Sequence, residues 1–290
     1  MISHAKVNLG LRILHKRKDN YHELESIFLK ISFGDEISFE NTKSGKLELI
    51  SENELVGTRW NEFEKVSERG DYTKNILFKT FEKMKQWKEI SGLKIYLKKR
   101  IPTGGGLGGG STNAASLIKF LYNGKFSSEF LEFAGKIGAD VPFFLQNHHA
   151  LVQGIGEKIF PVSIASGFGV LAVPPMLIET KTAFESLKKP LLDIESQNYG
   201  ELKVSFREML EAGNWGGLST LLRNDFEDHA FSSFPELKVL KEEMLGTGLE
   251  FVSMTGSGSC FFGISSTANL EAKRFLEKKF SNYSFVSFSF

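Results

Sequence analysis

Six glycines fall within seven consecutive positions in Thr103-Gly-Gly-Gly-Leu-Gly-Gly-Gly-Ser111. A backbone so free of side chains can bring its N–H groups close to a ligand. Leu93, Ile95 and Leu97 alternate as a strand before the run, and Ala114, Leu117, Ile118 and Leu121 follow it at helical spacing. The glycines therefore lead into a helix N-terminus, with its unsatisfied donors and positive dipole end, which makes an anion site and most naturally a phosphate site. A flexible linker is the bland alternative, and a clean strand before and an amphipathic helix after argue against it. Ser111 and Thr112 add hydroxyls suited to phosphate or to a phosphate-bound Mg²⁺.

No Lys-Ser or Lys-Thr closes the run, which excludes the ordinary P-loop. Gly104, Gly106 and Gly109 satisfy the dinucleotide spacing, but so glycine-rich a run does so almost automatically. The acid expected about 20 residues on would be Glu129, and Ser127-Ser128-Glu129 reads as a helix start, so a nicotinamide enzyme is kept only as an alternative.

Asp140 lies between Gly138 and the apolar run Val141-Pro142-Phe143-Phe144-Leu145, where partial burial suits a proton acceptor. An Asp two residues before a proline is also a common helix N-cap. Lys6 and Asn8 share one face of a strand whose other face carries Val7, Leu9, Leu11 and Ile13. A solvated Lys6 is the plain alternative. With the glycine run, Lys6 and Asp140 suggest phosphoryl transfer, a reaction catalysed mainly by positioning and charge neutralisation. The second glycine loop, Thr255-Gly256-Ser257-Gly258-Ser259, is either a simple hairpin or a further source of N–H donors. Tyr21-His22, at a turn, is either partly buried structure or a pair able to stack on and hydrogen-bond a base. The adjacent His148 and His149 point apart, which disfavours a metal site there.

The elements that must position these residues read as α/β (α+β). Strands are expected at 7–13, 26–32, 36–40, 93–97, 169–173, 251–254, 260–264 and 284–290, and helices after Asn75, after the glycine run, at 130–137, after Asp140, and at 201–210, 236–245 and 268–279. Residues 41–72 read as an irregular insertion and 151–156 as turn-rich, with a domain boundary near residue 160. The 290 residues, 41% hydrophobic and 24% charged, suit a globular chain rather than a disordered or fibrous one. A net charge of +1 provides no global field for nucleic acid. One cysteine, Cys260, excludes an internal disulfide, and no export signal or membrane-length apolar run is visible, so a cytoplasmic protein is expected.

The strand Ala5-Lys6-Val7-Asn8-Leu9, the run from Pro102 to Ala115, Gly138-Ala-Asp-Val-Pro-Phe-Phe144 and Thr255-Gly-Ser-Gly-Ser259, in this order, resemble the GHMP kinase superfamily. Asp19-Asn20-Tyr21-His22, Phe33-Gly34-Asp35 and Asn224-Asp225-Phe226-Glu227 look like signatures of its branch that phosphorylates the 2-hydroxyl of 4-diphosphocytidyl-2-C-methyl-D-erythritol in the non-mevalonate route to isoprenoids. The resemblance implies an N-terminal ATP-binding domain over 1–160, a C-terminal domain over 161–290, and substrate in the cleft between them, with ATP and Mg²⁺ as cofactors and a small molecule as partner. By the same resemblance Asp140 is the general base, and Lys6 orients it and stabilises charge near the transferred group. Pro102, Gly104, Gly105, Gly106, Leu107, Gly108, Gly109, Gly110, Ser111 and Thr112 hold ATP, Ser111 being a candidate Mg²⁺ ligand, with Asn75 and Lys99 near the nucleotide. Asn8 meets the erythritol hydroxyls, Tyr21, His22 and Phe184 hold cytosine, and Gly256, Ser257 and Gly258 line the substrate. His4 and Asn20 depart from the family's usual proline and glycine; Asn tolerates positive φ. Asn147-His148-His149 replaces what is generally a glycine-containing turn. Kinases of mevalonate, homoserine or a sugar, and an inert ligand-binding relative, are the rival readings.

Overall fold

The computed structural model describes residues 1–54, 75–187 and 204–290. The chain divides into two compact units, one of Met1–Ala5, Gly34–Thr103 and Gly108–Asn147, the other of Lys6–Phe33, Gly104–Leu107 and His148–Phe290. Strands β1 (Ile2–Lys16) and β2 (His22–Asn41), which pair with each other, contribute residues to both.

In the first unit, β3 (Leu47–Asn53) runs parallel to β4 (Leu93–Lys99), and the later part of β2 pairs antiparallel with β4, from Glu36 opposite Lys98 to Asn41 opposite Leu93. Helix α1 (Ile76–Met84) starts where Asn75 Oδ1 accepts the Leu77 N–H at 2.9 Å, and buries Leu77, Phe81 and Met84 at the spacing read from the sequence. Helix α2 (Gly109–Leu121) follows the glycine run, α3 (Ser128–Gly135) is capped by Ser127 Oγ, and α4 (Val141–Leu145) carries Pro142 in its first turn. Phe130 of α3 is fully buried with its ring 4.6 Å from that of Tyr122 and 4.9 Å from that of Trp87.

In the second unit, Leu24 to Phe28 of β2 pair antiparallel with β5 (His149–Gly154), which pairs in turn with β6 (Lys158–Val162). A separate antiparallel sheet is ordered β10-β7-β9-β8, from β7 (Phe168–Val173), β8 (Phe251–Met254), β9 (Phe261–Ser265) and β10 (Ser284–Ser289). Helices α5 (Thr180–Ser186), α6 (Val204–Ala212), α7 (Trp215–Leu221), α8 (Glu227–Ser233), α9 (Glu236–Gly246) and α10 (Leu270–Lys279) complete it. Its core joins alternate strand residues Val170, Ala172, Val252 and Phe285 to Leu237, Leu240 and Met244, one face of α9.

Three expectations are corrected. The runs at 26–32 and 36–40 are one strand, and Gly34 between them sits at a close approach to β1, where a Cβ would lie 2.5 Å from the Ser3 carbonyl oxygen. The supposed insertion at 41–72 contains β3, although 55–72 lies outside the described residues. Residues 151–156, read as turn-rich, are strand through Gly154, since Leu24 to Phe28 from the far earlier β2 pair along β5; the turn into β6 occupies 155–157.

Candidate active site

Strand β1 buries both of its faces: Val7, Leu9 and Ile13 on one, Lys6 (4% exposed) and Asn8 (1%) on the other, so the solvated reading of Lys6 is overturned. A buried ammonium needs partners. Lys6 Nζ donates to Asn8 Oδ1 at 2.7 Å and stands 4.5 Å from the centre of the Phe28 ring, whose face attracts a cation.

Gly104, Gly106 and Gly108 have φ of 75°, 77° and 71°, and left-handed residues set among ordinary ones turn successive N–H groups into an anion-binding concavity. Lys6 N–H donates to Leu107 O at 3.1 Å, fastening the loop to β1. Gly106 also has no room for a side chain, since a Cβ would lie 2.1 Å from Thr255 O. The second glycine loop is the turn of the β8–β9 hairpin, with Met254 opposite Phe261. Its Gly256 N–H donates to Asn8 Oδ1 at 2.9 Å, and Thr255 Oγ1 lies 3.1 Å from both Asn8 Oδ1 and Gly106 O. Asn224 Nδ2 holds the same turn through Met254 O and Gly256 O, both at 2.8 Å. Ser257 Oγ lies 2.9 Å from Thr180 Oγ1, and a Cβ on Gly258 would meet Met254 Sδ at 2.8 Å. Lys6, Asn8, Gly106 and Gly256 are thus brought together.

In the other unit Gly108 is the left-handed N-cap of α2, and Thr112 N–H makes the bond to Gly108 O at 2.9 Å, leaving the N–H groups of Gly109, Gly110 and Ser111 ahead of the helical ladder. Thr112 is buried, Ser111 half-buried and Gly110 exposed. Ser111 Oγ would be 3.3 Å from a Cβ on Gly138, two residues before Asp140. Asp140 is partly buried at the N-cap position of α4, yet its side chain makes no capping bond. Its backbone is αR, with φ −84° and ψ −7°, whereas a capping side chain needs an extended residue, so the plain N-cap reading is corrected.

Sequence reasoning missed the anchor of this unit. Asp35 is fully buried and accepts four hydrogen bonds, at Oδ1 from the N–H groups of Arg100 and Ile101 (both 2.7 Å) and at Oδ2 from Lys99 Nζ and Asn113 Nδ2 (both 2.8 Å). Lys99 Nζ also donates to Ile101 O. Lys99 is therefore fastened beside Pro102, which is buried, while Asn75 is an exposed helix cap. Asp35, Thr255 and Asn224 do occur in the motifs Phe33-Gly34-Asp35, Thr255-Gly-Ser-Gly-Ser259 and Asn224-Asp225-Phe226-Glu227, the one signal that marked them.

Tyr21 is 60% exposed on a turn in which Asn20 has φ 68° and Asp19 Oδ1 accepts the Tyr21 N–H at 3.1 Å. The His22 ring stacks on Phe184 at 5.0 Å and 29°, and Phe184 meets Phe226 edge-on. Burial, and then the charges of Lys16 and His15, push the His22 pKa below its ordinary value, favouring a neutral ring.

Residues 75–148 match the family model for the GHMP kinases N terminal domain and residues 206–282 that for GHMP kinases C terminal, together more than half of the chain. The chain belongs to the GHMP kinases. The 4-diphosphocytidyl-2-C-methyl-D-erythritol kinase of Leptospira interrogans is 45% identical to this GHMP kinase over 297 residues, covering 100% of each chain. A crystal structure of 4-(cytidine 5'-diphospho)-2C-methyl-D-erythritol kinase has a TM-score of 0.74 and 28% identity, covering 100% of this chain and 98% of the other. Homoserine kinase from Cytophaga hutchinsonii, at TM-score 0.67 and 17% identity over 91% and 88% of the chains, shares the fold. No helix among the described residues of this GHMP kinase is long and apolar enough to cross a membrane.

Proposed function

We propose that this chain transfers the γ-phosphoryl group of ATP to the 2-hydroxyl of 4-diphosphocytidyl-2-C-methyl-D-erythritol. Full-length likeness to the Leptospira interrogans kinase of that name carries the reading. Tyr21 and the His22–Phe184 stack agree with it, because a cytosine ring needs flat partners and a neutral imidazole to hydrogen-bond, whereas mevalonate, homoserine and galactose have no such ring.

In this reading the N–H groups of Gly104 to Ser111 hold the ATP phosphates, with Pro102 and Thr112 shaping the loop and Asn75 and Lys99 beside the nucleotide. The left-handed Gly104, Gly106 and Gly108 and the donors at the start of α2 fit a polyphosphate. Mg²⁺, for which Ser111 Oγ is the proposed ligand, would neutralise phosphate charge. Asp140 takes the proton of the substrate hydroxyl as its oxygen bonds to phosphorus and the bond to the ADP oxygen breaks. Lys6 orients Asp140 and offsets the charge on the transferred group. Asn8 has a second amide proton for an erythritol hydroxyl, and Gly256, Ser257 and Gly258 line the substrate. The boundary near residue 160 goes with this reading: the N-terminal family match, 75–148, ends before it and the C-terminal match, 206–282, begins after it. A cytoplasmic setting belongs to it as well, supported by the single buried thiol of Cys260.

The test is ATP consumption with Mg²⁺ and the cytidyl substrate, beside mevalonate, homoserine and galactose, for wild type and Asp140→Asn. Turnover confined to the cytidyl substrate, with kcat falling at least ~10²-fold in the variant, is expected. Turnover with another acceptor, or near-normal rates in Asp140→Asn, would sink the corresponding assignment.

A further inference from the structure

We infer that Ser26 and Thr255 are positioning residues that set the direction of the Asn8 carboxamide and, through it, hold the Lys6 ammonium. The inference rests on the kinase reading for its catalytic meaning and on proton inventory for its geometry.

Ser26 Oγ lies 2.6 Å from Gly10 O and 2.9 Å from Asn8 Nδ2. A carbonyl only accepts, so the single Ser26 proton belongs to Gly10, and Ser26 Oγ can only accept from Asn8. That fixes the amide nitrogen of Asn8 toward Ser26 and its oxygen toward the opposite side. The opposite side holds Lys6 Nζ at 2.7 Å and Gly256 N–H at 2.9 Å, both of which can only donate. Thr255 completes the arrangement: its Oγ1 accepts from Asn8 N–H at 3.3 Å and shares its one proton between Asn8 Oδ1 and Gly106 O, both at 3.1 Å. Both residues are buried, Ser26 at 3% and Thr255 at 0%, where a missing partner is costly.

A lysine has a long, flexible stem. In phosphoryl transfer most of the catalysis is placing such a charge, so an ammonium pinned by a fixed amide oxygen is worth more than one that wanders. Ser26→Ala leaves an Asn8 N–H without an acceptor, and Thr255→Val keeps the shape of the side chain while deleting its hydroxyl. Thr255→Ser keeps the hydroxyl.

The experiment compares wild type, Ser26→Ala, Thr255→Val and Thr255→Ser by steady-state kinetics, thermal unfolding and ¹⁵N NMR of the lysine ammonium groups, the Lys6 signal being assigned by its loss in Lys6→Ala. We expect kcat to fall about tenfold in Ser26→Ala and Thr255→Val, the KM for ATP to hold in Ser26→Ala, Thr255→Ser to behave as wild type, and the Lys6 signal to broaden through faster proton exchange in the first two variants alone. Unchanged kcat, a joint shift of kcat and KM that tracks unfolding temperature, or an unaltered Lys6 signal overturns the inference. A wild type without turnover overturns the kinase reading instead, and the Lys6 signal then decides the positioning by itself.

Discussion

Asn113 Nδ2 and Asp35 Oδ2 meet at 2.8 Å, while the other oxygen of the same carboxylate takes the N–H groups of Arg100 and Ile101. One buried anion thus ties down the chain on both sides of the first glycine run. A charged acceptor suits this place because four donors point at it, and none of them can serve another as acceptor.

Asp35→Ala should therefore cost ~3–5 kcal/mol of stability, the price of stranding a buried lysine and several donors. Asp35→Asn should cost less, because one oxygen remains, yet still raise the KM for ATP. Urea unfolding and ATP kinetics measure the two effects, and an Asp35→Ala variant as stable as wild type would refute the anchoring role.

Gly106→Ala and Gly110→Ala should separate strain from crowding. Gly106 has φ 77° and the Thr255 carbonyl where a Cβ would go, so alanine there should cost ~1–3 kcal/mol and weaken ATP binding together. Gly110 lies in the first turn of α2 with ordinary contact to Ile76 at 3.4 Å, so alanine should stabilise the free protein by ~0.5–1 kcal/mol. It should still weaken ATP binding, by crowding the phosphates. Thermal unfolding with and without ATP distinguishes the cases.

Tyr21→Ala should weaken binding of the cytidyl substrate by ~1–3 kcal/mol, as loss of one base-stacking ring does. Stability and ATP affinity should hold, since the ring is exposed. Calorimetric titration with each ligand reads both, and an unchanged substrate Kd would return Tyr21 to a surface role.

Acid should loosen the fold through His22 and His149. Burial foremost, with nearby Lys16 and His15 in one case and Lys30 and His148 in the other, holds both folded pKa values below the usual 6.5. The unfolded chain then binds more protons just below 6.5, so these groups make stability fall as pH drops through that value and leave it flat above. Asp19 and Glu54, also held low, act further down the scale. Unfolding temperature measured from about pH 7.5 to about 5.5 should decline, and His22→Gln should flatten part of the decline.

The sequence made elements legible where periodicity was local. Leu77, Phe81 and Met84 announced α1, and alternation from Val7 to Ile13 placed Lys6 and Asn8 on one face. It could not show that this second face is covered as well, because the covering residues, Phe28 and Thr255 among them, lie elsewhere in the chain. The gap left between the runs at 26–32 and 36–40 holds Gly34, a glycine that answers to a close backbone approach only the fold reveals. Ser26 looks like an ordinary strand polar residue and Asp35 is marked only by its motif; what each does is shown by hydrogen-bond partners far along the chain.

Because β1 and β2 both supply residues to each unit, neither unit is an unbroken stretch of chain. Leu24 to Phe28 leave the ribosome early, but the β5 residues they pair with, Ala150 to Gly154, come more than a hundred positions later. The second unit therefore cannot close around its lysine until most of the protein has been made. Its assembly is governed by a long-range encounter, the kind that slows folding and leaves a strand edge waiting.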